Sequence, residues 1–177
     1  MKAKLKKITY ASLGAVILTI GSWITVPFAI PFTMQTFALF FVLHAFGGKI
    51  GCISVLIHTA MGLLGLPVFS GFLSGISALI SPTGGYIVGF LLTGALYFAL
   101  YSIFDKKRII QWILPLFCLV TCYGLGTAWY MLYISAQREI GFVSALSVCV
   151  LPYIVPDIIK VCLGIISAKR IKRFLIL

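Results

Sequence analysis

Residues 50–104 read IGCISVLIHTAMGLLGLPVFSGFLSGISALISPTGGYIVGFLLTGALYFALYSIF, with no Asp, Glu, Lys or Arg. A helix that crosses a bilayer needs about 20 apolar residues, so this run is far too long for one crossing. Gly65-Leu66-Pro67 and Pro82-Thr83-Gly84-Gly85 punctuate it, and such residues interrupt helices. The reading is two apolar segments, 49–65 and 84–104, separated by a long serine-bearing connection. Further uncharged runs cover 8–48, 109–137 and 140–156. The 177-residue chain is 62% hydrophobic and 10% charged, too apolar for a soluble domain to cover with a polar surface. The expected fold class is an all-α integral membrane protein forming a single membrane domain over residues 1–177.

Glycine and proline positions predict six transmembrane helices, at about 8–27, 34–47, 49–65, 84–104, 109–135 and 143–168, with a long extracellular loop between the third and fourth. Segment two is short, so it must be tilted, re-entrant or covered by the proline-flanked stretch before it. Twelve of the fourteen Lys/Arg fall in four places: the amino terminus, Lys49, Lys106 to Arg108, and the carboxyl-terminal group Lys169, Arg170, Lys172, Arg173. An amino terminus inside puts all of these on the inner face, and the outer loops then carry only Arg138. That asymmetry sets orientation and predicts a multi-pass plasma-membrane protein with both termini cytoplasmic. The basic start MKAKLKK resembles that of a signal peptide, but no small-x-small cleavage site follows. The net charge of +11 sits at segment ends rather than along one aromatic-rich face, which argues against nucleic acid. The five cysteines lie inside apolar segments without a CxxC spacing and read as packing residues.

This topology gathers uncharged hydrogen-bonding groups on the outer half: Thr33, Gln35, Thr36, Ser70, Ser74, Ser77, Ser81, Thr83, Tyr86 and Tyr153. A pocket for a small ligand, open outward, is their simplest use. Into that half falls IVPDIIKVCLG, residues 154–164, with Asp157 and Lys160 three apart on one helix face, where they can pair. An ionisable residue at this depth costs about 2.5–3.5 kcal/mol on insertion scales. A ligand or ion site is therefore the leading reading, and an ion pair that only fixes packing is the bland one. Pro156 removes a backbone donor beside the pair and is expected to kink the helix.

Other features weigh less. Gly47-Gly48-Lys49 is followed by Ile50 where a phosphate-binding loop needs Ser or Thr, so ATP hydrolysis and a resident cofactor are not expected. His44 and His58 lie on different segments and read as packing or interface residues rather than metal ligands. Ala11-x-x-x-Ala15, Gly71-x-x-x-Gly75 and Gly85-x-x-x-Gly89 have the spacing that allows close helix approach. Aspartyl hydrolysis in the membrane wants two aspartates, and the chain has one there. A serine–lysine dyad on Lys160 is the remaining enzymatic alternative.

Four motifs in order, PFTMQTF (31–37), GLPVF (65–69), PTGGY (82–86) and PDIIK (156–160), resemble the BioY family, the biotin-binding S components of energy-coupling-factor (ECF) vitamin transporters. The similarity runs from about Thr25 to Lys160. Ser81 departs from the glycine expected before PTGGY. The resemblance implies a non-enzymatic six-helix protein that captures biotin from outside, with transport driven by a transmembrane coupling subunit and two cytoplasmic ATPases. It implies that Ala11 and Ala15 form the AxxxA face that docks the coupling subunit, and that Asp157 and Lys160 are the family's site pair. In chemical terms Asp157 can accept a ureido N–H, while Lys160 can donate to the ureido carbonyl or hold the carboxylate, the first being favoured. Tyr86 would cover the apolar ring, with Gln35 and Ser74 as further polar contacts. The rivals are an S component for another vitamin and a small proton-driven transporter using Asp157.

Overall fold

The computed structural model describes residues 2–104, 109–135 and 140–175. The basic cluster Lys106 to Arg108, expected inside, and Arg138 and Glu139, expected outside, lie beyond the described residues. The order is α1 (Lys2–Trp23), strands β1 (Thr25–Val26) and β2 (Phe32–Thr33), α2 (Gln35–Ala45), α3 (Gly47–Leu63), a 3₁₀ turn (Ser70–Phe72), then α4 (Gly75–Ile80), α5 (Gly84–Phe104), α6 (Ile110–Ser135), α7 (Phe142–Cys149) and α8 (Ile154–Lys172).

The short second segment is short because protein surrounds it. Ten of the eleven residues of α2 are buried, as expected of a helix that is apolar all round. Its neighbours are α1, α3 and α8, and Leu39, Phe40, Val42 and Leu43 form the centre of the core with Leu18, Tyr97 and Ile165. The chain reverses from α2 into α3 within one residue, Phe46, using Gly47 at φ +80°. A Cβ on Gly51 would stand 2.8 Å from the Leu43 backbone, so only glycine lets the two helices lie this close. The outward residues are apolar as well: Leu13, Val16, Leu56, Val120, Leu132 and Leu163 are all exposed. Such a belt suits lipid and would be a liability in water.

Several boundaries differ from the sequence expectation. Helix α1 ends at Trp23 rather than near 27, because β-branched Ile24-Thr25-Val26 precede Pro27, and a residue before proline is pushed out of the helical region. Residues 25–33 instead form an antiparallel ribbon, Thr25 opposite Thr33 and Val26 opposite Phe32. The predicted segment 143–168 is two helices, α7 and α8, bent by 44°. The break holds Pro152, whereas Pro156 sits in the first turn of α8, where its missing N–H has no intrahelical partner to lose; Asp157 N–H still bonds the Tyr153 carbonyl at 2.8 Å. Helix α6 is the one described helix long and apolar enough to cross a membrane on its own, and bent α7–α8 meets the same measure taken together. The connection 64–83 is folded, carrying the 3₁₀ turn and α4.

The small-residue spacings diverge too. Gly85 and Gly89 meet α6 closely: a Cβ on Gly85 would lie 2.2 Å from Trp129, and one on Gly89 2.8 Å from the Cys122 sulfur. Gly71 and Gly75 are not helix-packing residues. Both have positive φ, +67° and +73°, and turn the connection back on itself. The five cysteines are free, and Cys118 and Cys122 are buried as packing residues.

Candidate functional site

The centre of the site is the pair on the first turns of α8. Lys160 Nζ lies 2.9 Å from Asp157 Oδ1, with side chains 7% and 9% exposed. Being three apart places them on one face, and Asp157 lies in the first turn of α8, where a negative charge complements the helix dipole. Two other elements complete the pair's hydrogen bonding. From α6, the Tyr123 hydroxyl donates to Asp157 Oδ2 at 2.6 Å. From β2, the Thr33 carbonyl accepts from Lys160 at 2.6 Å, and the Phe32 ring covers the ammonium at 3.5 Å, a cation–π contact. A buried ion pair is tolerable when its remaining lone pairs and protons are met in this way. Tyr153, stacked on Phe32 at 6.5 Å, donates its hydroxyl to the Ile30 carbonyl and so ties the ribbon to the start of α8.

The pair opens onto a cavity of about 80 Å³. A single water needs about 10–15 Å³ on the same measure, so this is a true cavity and not a packing defect. Its wall comes from the ribbon, α2, the folded connection 64–83, α5, α6, the end of α7 and α8. Ile30, Phe69, Phe90 and Leu119 make it apolar, and Thr33, Gln35, Ser70, Thr83, Tyr86, Tyr123, Asp157 and Lys160 supply a few polar groups. That mix suits a small molecule with one polar head and an apolar body.

Among the residues singled out from sequence, Asp157, Lys160, Tyr86 and Gln35 all line this cavity. Tyr86 is held by its hydroxyl to the Cys149 carbonyl at 3.1 Å, and its ring fills the space a Cβ on Gly126 would need, 2.4 Å away. Ser74 does not line the cavity. Gly71 and Phe72, at φ +67° and +60°, reverse the chain and put Ser70 and Leu73 on the wall instead. Ser74 is left extended at the start of α4. Of the expected docking stripe, Ala11 and Ala15 are 4% and 1% exposed. They lie in the packing of α1 against α2 and α3, where neighbouring Gly14 has no room for a Cβ, Ser54 standing 2.2 Å away. The exposed large apolar residues of α1 are Leu5, Ile8, Leu13, Val16, Ile20 and Trp23.

Tyr123 was not anticipated. It sits in CLVTCYGLG without local pattern, and its partner is 34 residues away. Ser81, the departure from the PTGGY context, bridges to Thr83 Oγ1 at 2.9 Å and accepts from the Thr83 N–H, so it shapes the turn into α5. His44 is buried, with its ring nitrogens within hydrogen-bond distance of the Phe40 and Gln111 carbonyls and the Tyr97 hydroxyl. No group of His, Cys, Asp and Glu among the described residues could hold a metal ion.

Comparison with known proteins agrees with this architecture. The model of the BioY family matches residues 1–176. A probable biotin transporter BioY of Pyrococcus horikoshii is 33% identical over 170 residues, covering 96% of this chain and 98% of its own. A biotin transporter BioY of Thermotoga maritima is 32% identical over 172 residues, covering 96% and 97%. A crystal structure of the S-component for biotin from an ECF-type ABC transporter superposes with a TM-score of 0.85 at 25% identity, over 97% of this chain and 93% of that one. A transporter family places the chain in a membrane, and the family model spans nearly its whole length: the chain belongs to the BioY family.

Proposed function

We propose that this chain is the biotin-capturing subunit of an ECF-type transporter, binding biotin from outside the cell. The observation that carries the reading is the buried Asp157–Lys160 pair opening onto a mostly apolar cavity. Biotin's ureido ring has two N–H donors and one carbonyl acceptor, its fused ring and tail are apolar, and its carboxylate is at the far end. Asp157 accepts a ureido N–H. Lys160 keeps one donor beyond those given to Asp157 and the Thr33 carbonyl, and directs it to the ureido carbonyl. The carboxylate stays near the mouth, where it keeps its hydration. Tyr86, Phe90 and Leu119 pack on the apolar ring.

In this reading six membrane segments, α1, α2, α3, α5, α6 and bent α7–α8, place the ribbon and the connection 64–83 outside. The basic residues support that orientation: Lys4, Lys6 and Lys7 start α1, Lys49 lies in the first turn of α3, and Lys169 to Lys172 end α8, all at the end away from the cavity. Energy comes from a separate coupling subunit and two ATPases. In support, Gly48 and Lys49 are helical residues of α3 and not a phosphate-cradling loop.

Calorimetry on the purified protein tests the reading directly. Biotin should bind one to one without ATP. Binding of thiamine or riboflavin with no response to biotin would overturn the assignment.

A further inference from the structure

The cavity wall facing α1 and α3 carries a polar relay that the ion pair does not use. Gln35, 7% exposed, lines the cavity, and its side-chain nitrogen lies 3.3 Å from Nε2 of His58 on α3. His58 is 2% exposed, and its Nδ1 lies 3.1 Å from Thr19 Oγ1 on α1. The Thr19 hydroxyl donates to the Ala15 carbonyl at 2.9 Å. Phe69 of the cavity wall stands edge-on to the imidazole at 5.7 Å.

Proton counting gives this relay a direction. The Ala15 carbonyl only accepts, and Thr19 has a single hydroxyl proton, which goes there at the shorter of its two contacts. With that proton on the Ala15 carbonyl, Thr19 Oγ1 is left to accept from His58 Nδ1–H. A neutral imidazole has one N–H, so Nε2 is an acceptor and requires the NH₂ end of the Gln35 amide. The other end, the Gln35 carbonyl oxygen, makes no hydrogen bond among the described residues and is left for the cavity. Meanwhile each oxygen of Asp157 already accepts from protein, one from Tyr123 and one from Lys160. A ligand head with two N–H donors needs a second acceptor, and Gln35 supplies one.

We propose that His58 is a positioning residue that locks the Gln35 amide with its carbonyl toward the ligand, so that the site demands an N–H donor there. The ligand class follows from the biotin reading above: Gln35 accepts one ureido N–H, Asp157 the other. The site then discriminates against heads that carry an N-alkyl group or a bare acceptor at that position. A buried donor–acceptor mismatch is the stronger source of such rejection, because it leaves a polar group unpaired.

The test uses the full-length protein in lipid nanodiscs and three probes: biotin, and biotin methylated singly on each ureido nitrogen. In the wild type one methyl isomer should lose about 30-fold or more through Asp157, and the other about 10-fold through Gln35. His58→Leu should weaken biotin about fivefold and shrink the second penalty to within about twofold, leaving the first intact. His58→Gln, which can still donate to Thr19 and accept from Gln35, should restore most of the penalty, and Gln35→Leu should abolish it. A purely structural histidine would lower all three probes alike with both penalties unchanged, and that result overturns the inference. Independently of any ligand, ¹⁵N NMR of the imidazole, assigned by its loss in His58→Gln, should show Nδ1 protonated and Nε2 bare; the opposite tautomer overturns the inference even if His58→Leu does not fold. No binding of biotin by the wild type would instead sink the biotin reading, while the tautomer still decides the lock.

Discussion

Two helices carry the residues that stood out in the sequence, and they use them in opposite ways. On α8, Asp157 and Lys160 are buried and yet face a cavity, with partners brought from α6 and β2. On α1, Ala11 and Ala15 are buried where α1 packs against α2 and α3. A charge in an apolar setting has few structural uses, so its presence nearly always points to something outside the fold. A small residue in a membrane helix has many, and helix packing within the chain comes first among them. The kind of residue, not the strength of the spacing, decides how far a motif reaches.

The largest expected effect is at the pair. Asp157→Asn keeps the volume but leaves Lys160 without its counter-charge, and Lys160→Met leaves Asp157 with only the Tyr123 hydroxyl. Each should weaken biotin binding by about 2–3 kcal/mol, since stranding a buried charged or polar group costs that much. Biotin amide sharpens the result. If Lys160 serves the ureido carbonyl, the amide binds wild type nearly as well as biotin and remains sensitive to Lys160→Met. If the amide binds poorly and Lys160→Met adds nothing further, the lysine holds the carboxylate. Should both variants bind biotin normally and merely melt earlier, α8 resembles α1 after all, and the contrast collapses.

A smaller effect is expected on α1. Ala15→Leu forces extra methyl groups into packed space, which costs about 1–3 kcal/mol, so its melting temperature should fall. It also disturbs the turn that holds Thr19, hence biotin binding should weaken together with stability. A docking surface would behave differently. A variant that melts and binds like the wild type but fails in transport would mean that Ala15 meets a partner, contrary to its 1% exposure.

How much was legible in the sequence follows from the range of each interaction. Uncharged runs and Gly/Pro punctuation are local, and they located α5 and α6 to within a residue. Asp157 and Lys160 were visible because membrane burial makes any charge conspicuous. Tyr123 was not, because one tyrosine among many becomes special only through a partner on another helix. A kink within one segment 143–168 is the expectation at Pro156, but a proline is harmless in a first turn, and the bend falls instead at the α7–α8 break that holds Pro152. Gln35 was legible as a polar cavity residue, while the histidine beside it was read as packing. Only the three-helix contact of Thr19, His58 and Gln35 gives that histidine a direction.

The smallest expected effect concerns two serines four residues apart in the connection 64–83. The sequence reading favours Ser74, but Ser70 lines the cavity and its hydroxyl lies 3.2 Å from Thr25 Oγ1, linking the connection to the ribbon. Ser70→Ala should therefore weaken biotin binding by about 0.5–1 kcal/mol, the net worth of one such hydrogen bond. Ser74→Ala should stay within about 0.5 kcal/mol of the wild type, as for a substitution away from the site. The difference is only a few-fold in affinity, so both variants belong in one titration series beside the wild type. A larger loss at Ser74 than at Ser70 would mean that the left-handed turn at Gly71 and Phe72 opens when ligand binds, exchanging which serine meets the cavity. Equal, negligible losses would mean that the ribbon and the connection cover the ligand through Phe69 and Leu73 alone, leaving the polar reading of the site to the elements around α8.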